Sequence, residues 1–244
     1  MSGWPASGGA ASAAHAALTA AGVAAVFLAA RREGGRSGIS PAVFDRLLAW
    51  AGLGGLVGAR VWHCVAYEPE RYLARPLDML RVWEPGSGFF GALVAAASIA
   101  VVYAWRTGVP PASLLGAAFY GLPLGQAIGR VGCALVGDCR GRPTAGWWGV
   151  AWPDGVVRHD VARYEALLGA VTFAAFVGLR RRWPALPTER FVAMWLVIYG
   201  GARLALDELR VEGAAAAWTP SQWAAAAALL LGASAALACG VGRR

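Results

Sequence analysis

Seven times along the chain an apolar run recurs that is close to the roughly 20 residues a helix needs to cross a hydrocarbon core. The runs read Ala10–Ala30, Ala42–Cys64, Gly88–Trp105, Ala112–Gly129, Ala166–Leu179, Phe191–Leu206 and Gln222–Val241, and the short fifth one can start further back, near Val161. Repetition on this scale leaves few options, because in lipid every backbone N–H and C=O must be satisfied within its own segment. The expected fold is therefore all-α: a polytopic integral membrane protein of about seven helices, forming a single transmembrane domain over residues 1–244. Composition agrees, with 58% hydrophobic and 15% charged residues against about 45–50% and 25% in soluble domains. Alanine and glycine fill the runs, which favours close helix packing in lipid.

Orientation follows from arginine. The 22 basic residues are all arginine, and the net charge is +8. Arg31, Arg32 and Arg36, then Arg106, then Arg180, Arg181, Arg182 and Arg190, and finally Arg243 and Arg244 fall in short connections that share one face. The positive-inside rule makes that face cytoplasmic, so the N-terminus is expected outside and the C-terminus inside. The longer outer loops, at about 63–87 and 130–165, are where function should concentrate. A nucleic-acid partner is excluded, since the arginines lie between apolar runs instead of along one polar face. No cleavable signal peptide stands out, because no basic segment precedes the first apolar run. Cys64, Cys133, Cys139 and Cys239 form no Cys-x-x-Cys pair, so neither a metal nor a cofactor is expected.

Arg60, Arg130, Arg203, Asp207 and Glu165 lie within or at the edge of apolar runs, where a charge is costly and marks either a functional site or an ion pair between helices. Arg203 and Asp207, one turn apart, are open to the second reading. The segment from Gly129 to Pro143 combines glycines with Arg130, Arg140 and Arg142, planar forks suited to phosphate oxygens. It reads either as an anionic headgroup site or as a loop lying against anionic lipid. Cys133 and Cys139 within it are read first as a disulfide in an oxidising loop, then as small packed residues, then as a reactive thiol beside Arg130 and Arg140. Cys64 and Cys239 read as packing, and His15 and His63 as less telling than His159. Trp62, Trp83, Trp147, Trp148, Trp152 and Trp223 suit an interfacial belt.

That same segment resembles the signature of bacterial prolipoprotein diacylglyceryl transferases, Gly-Arg-x-Gly-Asn-Phe-x-Asn-x-Glu-x-x-Gly, and further landmarks follow in order. Val57–Trp62 is similar to the family's Gly-Ala-Arg element, and Pro76–Glu84 to the loop before the third span. Trp148-Gly149-Val150 precedes Arg158-His159, Tyr164-Glu165-Ala166 ends a His-Pro-Ser-Gln-x-Tyr-Glu-Ala motif, and Tyr199 to Arg203 with Asp207 and Arg210 resembles the late Tyr-Gly-x-x-Arg element. The resemblance implies seven transmembrane helices in the bacterial cytoplasmic (inner) membrane and an outward-facing site. The implied reaction moves a diacylglyceryl group from phosphatidylglycerol, or a similar anionic lipid, to the lipobox cysteine thiol of a prolipoprotein signal peptide. It assigns catalysis to Arg130, Arg203, Asp138 and His159, with Arg130 and Arg203 on the headgroup phosphate. Substrate binding falls to Arg60, Gly141, Arg142, Tyr164, Glu165, Tyr199, Asp207 and Arg210. The chain departs from the pattern at Phe90, which stands in place of a histidine, and at Cys133, Ala134, Val136 and Asp138 within the signature. Asp160, Val161 and Ala162 replace proline, serine and glutamine. These changes leave two alternatives open: a paralogue serving another acceptor, or a non-catalytic lipid-binding or transport protein.

Overall fold

The structure, a computed structural model, describes residues 9–81, 86–211 and 218–241. Trp83, Glu84, Arg243 and Arg244 lie outside these residues, as does the side chain of Cys239. The protein is built from α1 (Gly9–Arg36), α2 (Pro41–Ala66), the short α3 (Pro69–Ala74), α4 (Phe89–Thr107), α5 (Pro111–Val136), α6 (Val161–Arg182), α7 (Arg190–Asp207) and α8 (Pro220–Val241). Proline opens α2, α3 and α5, where a missing N–H costs nothing. Gly108 and Gly137 end α4 and α5 with left-handed φ of 71° and 65°, a conformation that suits glycine. Five helices, α1, α2, α4, α6 and Pro220–Ala238 of α8, are long and apolar enough to cross a membrane. In α7 the charges of Arg190, Arg203 and Asp207 break the apolar run, and in α5 Tyr120, Pro123 and Gln126 dilute it. The architecture is that of a polytopic helical membrane protein.

Two expectations from sequence need correction. α5 does not stop at Gly129 but runs seven residues further, because Cys133-Ala134-Leu135-Val136 continues the helix until Gly137. Arg130 and Cys133 are therefore helical, and the segment expected to be an outer loop starts later than residue 130. That segment is also not purely helical or coiled. It folds into a three-stranded antiparallel sheet in the order β1-β3-β2, made of β1 (Arg140–Pro143), β2 (Val150–Ala151) and β3 (Val157–Asp160). Arg140 pairs with Asp160, and Val150 with Arg158.

α5 is the hub, packing against α1, α4, α6 and α7, while α2 lies along α4 and α7 along α8. Missing side chains set these approaches. A Cβ on Gly22 of α1 would lie 2.7 Å from the Gly125 carbonyl oxygen of α5, and one on Gly200 of α7 2.7 Å from the Ala225 carbonyl oxygen of α8. Backbones this close gain dispersion contacts that lipid tails cannot match. At the end of the bundle formed by the α1 C-terminus and the α6–α7 connection, buried Glu33 pairs with Arg180. Arg180 also donates to the Pro184 and Leu186 carbonyls and lies 5.0 Å over the Phe191 ring.

Candidate functional site

At the opposite end, three helices deliver ionisable side chains to one buried point, and a fourth adds a hydroxyl. Glu165 sits in the second turn of α6 and is fully buried. Its Oε2 lies 2.5 Å from Arg130 Nε of α5, and its Oε1 accepts from Arg203 Nη1 of α7. Arg203 Nη2 also holds Asp207 Oδ1 at 2.9 Å, one turn along α7, and its Nε donates to Ser221 Oγ of α8 at 3.0 Å. Asp207 Oδ1 in turn meets Arg210 Nε at 3.5 Å. Arg130 and Arg203 do converge although distant in sequence, and the group they share in the structure is a carboxylate. Stranding any one of these charges in a dry site would cost several kcal/mol, so each needs its partner.

Local sequence explains the positions. Asp160 caps α6, accepting from the Arg163 N–H at 3.3 Å, which fixes the turn that carries Tyr164 and Glu165. Burial raises the Asp160 carboxyl above its ordinary range, against the lowering effect of that N–H and of the Arg163 guanidinium. At α8, Thr219 Oγ1 accepts from the Gln222 N–H while Gln222 Oε1 accepts from the Thr219 N–H, a reciprocal capping box that places Ser221 under Arg203. Tyr199 is buried one turn before Arg203, stacked on Trp195 at 4.6 Å and hydrogen-bonded to Arg130. Phe90 lies 6.0 Å from the Tyr199 ring, so an aromatic wall stands where the family pattern has histidine.

Among the described residues Cys64, Cys133 and Cys139 are free thiols, which overturns the disulfide reading of Cys133 and Cys139. Cys133 is on the last turns of α5 with its sulfur 3.8 Å from His15 Nε2 of α1. Cys139 lies beyond the Gly137 turn, buried among Val161, Ala162, Leu206 and Leu209. Its sulfur receives Arg210 Nη2 at 3.0 Å and Arg130 Nη1 at 3.4 Å. The Cys139 thiol is lowered to about 7, first by the hydrogen bond from Cys133 and then by the two guanidiniums, against burial and Glu165.

Other expected residues sit around this centre. Gly141 bridges to Arg210, and a Cβ there would run into His159, so only glycine lets the strand pass. The Arg142 N–H donates to the Leu209 carbonyl at 2.8 Å, tying β1 to the end of α7, and the buried Arg142 Nε has no partner. His159 Nδ1 and Tyr164 Oη are 2.9 Å apart. Arg60 is turned to the connection between α2 and α4, where it donates to the Asp78, Met79 and Gly86 carbonyls and lies 5.5 Å over Tyr72. Asp138 is exposed on the turn after Gly137, with no arginine pairing among the described residues. Trp152 is buried under the Arg140 guanidinium at 5.3 Å, away from an interfacial belt position, whereas Trp147 and Trp223 are exposed. Sequence reasoning missed Ser221, for which the Thr219–Gln222 capping box was an available signal. It also missed Tyr67, which the charges of Arg203, Asp207 and Arg210 reach and whose hydroxyl burial raises above its ordinary range.

Residues 8–238 match the family model of prolipoprotein diacylglyceryl transferase. A phosphatidylglycerol–prolipoprotein diacylglyceryl transferase of Cereibacter sphaeroides is 37% identical over 186 residues, covering 68% of this chain and 61% of the relative. Proteins of the same name from Rhodospirillum centenum and Mesorhizobium japonicum are 34% and 32% identical over 173 and 170 residues, each covering 68% of this chain and 62% and 59% of the relative. The matched region thus spans about three fifths of these relatives' length.

Proposed function

The chain belongs to the prolipoprotein diacylglyceryl transferase family, and from that premise we propose that it moves a diacylglyceryl group from phosphatidylglycerol to the lipobox cysteine of a prolipoprotein. The bacterial inner membrane houses it in this reading, as a single domain of seven spans with the N-terminus outside and the ionic site on the outer side. One observation carries the proposal. Arg130 of α5 and Arg203 of α7 converge from different helices on one buried carboxylate, Glu165, so two planar forks stand side by side at one point. A phosphodiester monoanion suits such a pair of forks.

The reaction breaks the C–O bond between the glyceryl carbon and phosphate while a thiolate attacks that carbon. Negative charge grows on the leaving phosphate, and a preorganised guanidinium is the group that stabilises it. Arg130 and Arg203 take that role, Glu165 aligns both forks, and Asp207 and Arg210 extend the same network. Tyr199 orients Arg130. Gly141 lets β1 approach Arg210, Arg142 offers its unpartnered Nε to the headgroup, and Tyr164 with His159 lines the outer side, where Asp138 meets water. Arg60 holds the first outer loop in place for the acceptor peptide.

Arg130→Lys and Arg203→Lys keep the charge and lose the fork. Each should lower thioether formation on a lipobox peptide by about tenfold or more, in line with the loss of one bidentate, charge-assisted contact. Mass spectrometry of the peptide product gives the readout, with complementation of a transferase-depleted strain as the cellular counterpart. Full turnover in both folded variants would sink the shared phosphate site.

A further inference from the structure

One turn before Arg130 on α5, the side-chain amide of Gln126 has its Nε2 buried with no acceptor among the described residues. Gln126 belongs to the stripe Leu115, Phe119, Leu122, Gln126 and Arg130, spaced three and four apart and so lying on one face of the helix. That face looks into the bundle. Leu115, Phe119 and Leu122 pack in the cluster that holds Phe90, Trp195 and Tyr199, with the Phe119 and Trp195 rings 5.4 Å apart, and Arg130 meets Glu165. These contacts run α5 and α7 in the same direction, so Gln126 and Tyr199 stand at one level, each a turn before the arginine of its own helix. Tyr199 is hydrogen-bonded to Arg130; the Gln126 N–H groups have no such neighbour. An unpaired amide donor in apolar surroundings is costly, and a methionine would fill the same space without that cost. A donor kept there points to an acceptor that arrives from outside the chain.

We propose that Gln126 reads the acyl linkage of the lipid substrate, donating from Nε2 to a fatty-acyl ester carbonyl while Arg130 and Arg203 hold the phosphate. The proposal rests on the transferase reading above. Distance supports it first. Four helical residues rise about 6 Å, and in a glycerophospholipid the ester carbonyl oxygens follow the phosphate by the length of the glycerol backbone, a closely similar step. Chemistry supports it second, because the amide is a donor that lacks an acceptor and an ester carbonyl is an acceptor that brings no donor. A glycerol lipid with ether-linked chains has no carbonyl at that level, so its binding would leave the amide unpaired. The site therefore selects diacyl over dialkyl lipid, as sites built around a hydrogen bond reject the analogue that cannot make it. Gln126 takes no part in bond breaking; it fixes how deep the glyceryl backbone sits below the two forks.

Equilibrium binding to the full chain in detergent tests this with two phosphatidylglycerols that differ only in linkage, one diacyl and one dialkyl ether. The wild type should bind the diacyl lipid about tenfold more tightly, the upper end of what one hydrogen bond contributes. Gln126→Met keeps the shape of the side chain and loses the donor. Its affinity for the diacyl lipid should fall by about tenfold, while that for the dialkyl lipid stays within about twofold. With a lipobox peptide the loss should appear in KM for the diacyl lipid more than in kcat. The thermal midpoint of lipid-free Gln126→Met should not fall, since the amide has no partner to lose. Gln126→Leu repeats each measurement if Gln126→Met fails to fold, and the wild-type comparison decides alone if neither folds. Equal wild-type affinity for the two lipids, an equal loss of both in the variants, or a lowered lipid-free midpoint overturns the role of Gln126. Wild-type protein that binds the diacyl lipid and forms no thioether overturns the transferase reading instead.

Discussion

Glu165 is the residue on which the ionic cluster turns, since one buried carboxylate serves two arginines from different helices. Glu165→Gln would leave both guanidiniums facing an amide. Removing one partner of a buried ion pair costs about 3–5 kcal/mol, so this variant should show the largest fall in thermal midpoint of any single change in the cluster, read by unfolding in detergent. The thiols make a second prediction at this scale. Alkylation of denatured protein should modify Cys133 and Cys139 equally with and without prior reductant, and protection lifted only by reductant would restore the disulfide. Arg130, Arg203, Glu165 and Asp207 were legible in the sequence as charges in apolar runs, because that pattern has few explanations. The pairing of Cys139 with Arg210 was not, since it depends on β1 lying beside the end of α7, a contact made across 71 positions of sequence. Arg140, the nearer arginine in sequence, instead covers Trp152.

Among the elements, α1 and α5 meet along a seam where backbone touches backbone. Gly125→Leu would drive a side chain into the Gly22 carbonyl and Val26. Overpacking of this kind costs about 1–3 kcal/mol. Gly178 of α6 has open space around it, so Gly178→Ala should be neutral or stabilising by about 0.5–1 kcal/mol. Thermal unfolding of the two variants side by side checks both signs. Helix existence was readable from apolar runs, whereas the reach of α5 was not. Arg130 looked like the start of a polar loop, yet its charge is met by Glu165 and so the helix had no reason to end there. The small sheet was equally hidden, because β2 is two residues long and no alternation can show in so short a strand.

At the scale of the whole molecule the charges divide between two ends, with Glu33 and Arg180 at one and the Glu165 cluster at the other. Given the arginine-rich short connections, a reporter fused after Arg244 should be active in the cytoplasm and one inserted at Asp154 active outside; the reverse at both sites would turn the site to the other face. The shared carboxylate also has a consequence for biogenesis. In order of synthesis, α5 enters the membrane with Arg130 uncompensated, and its partner arrives only on α6. The 24 residues from Gly137 to Asp160 between them make a tether short enough to keep the two helices together, so they are best placed to partition into lipid as a pair. Arg203 comes later and brings Asp207 with it on the same helix, so α7 enters already neutralised. Within this cluster the order of translation thus leaves Arg130 alone to wait for its partner.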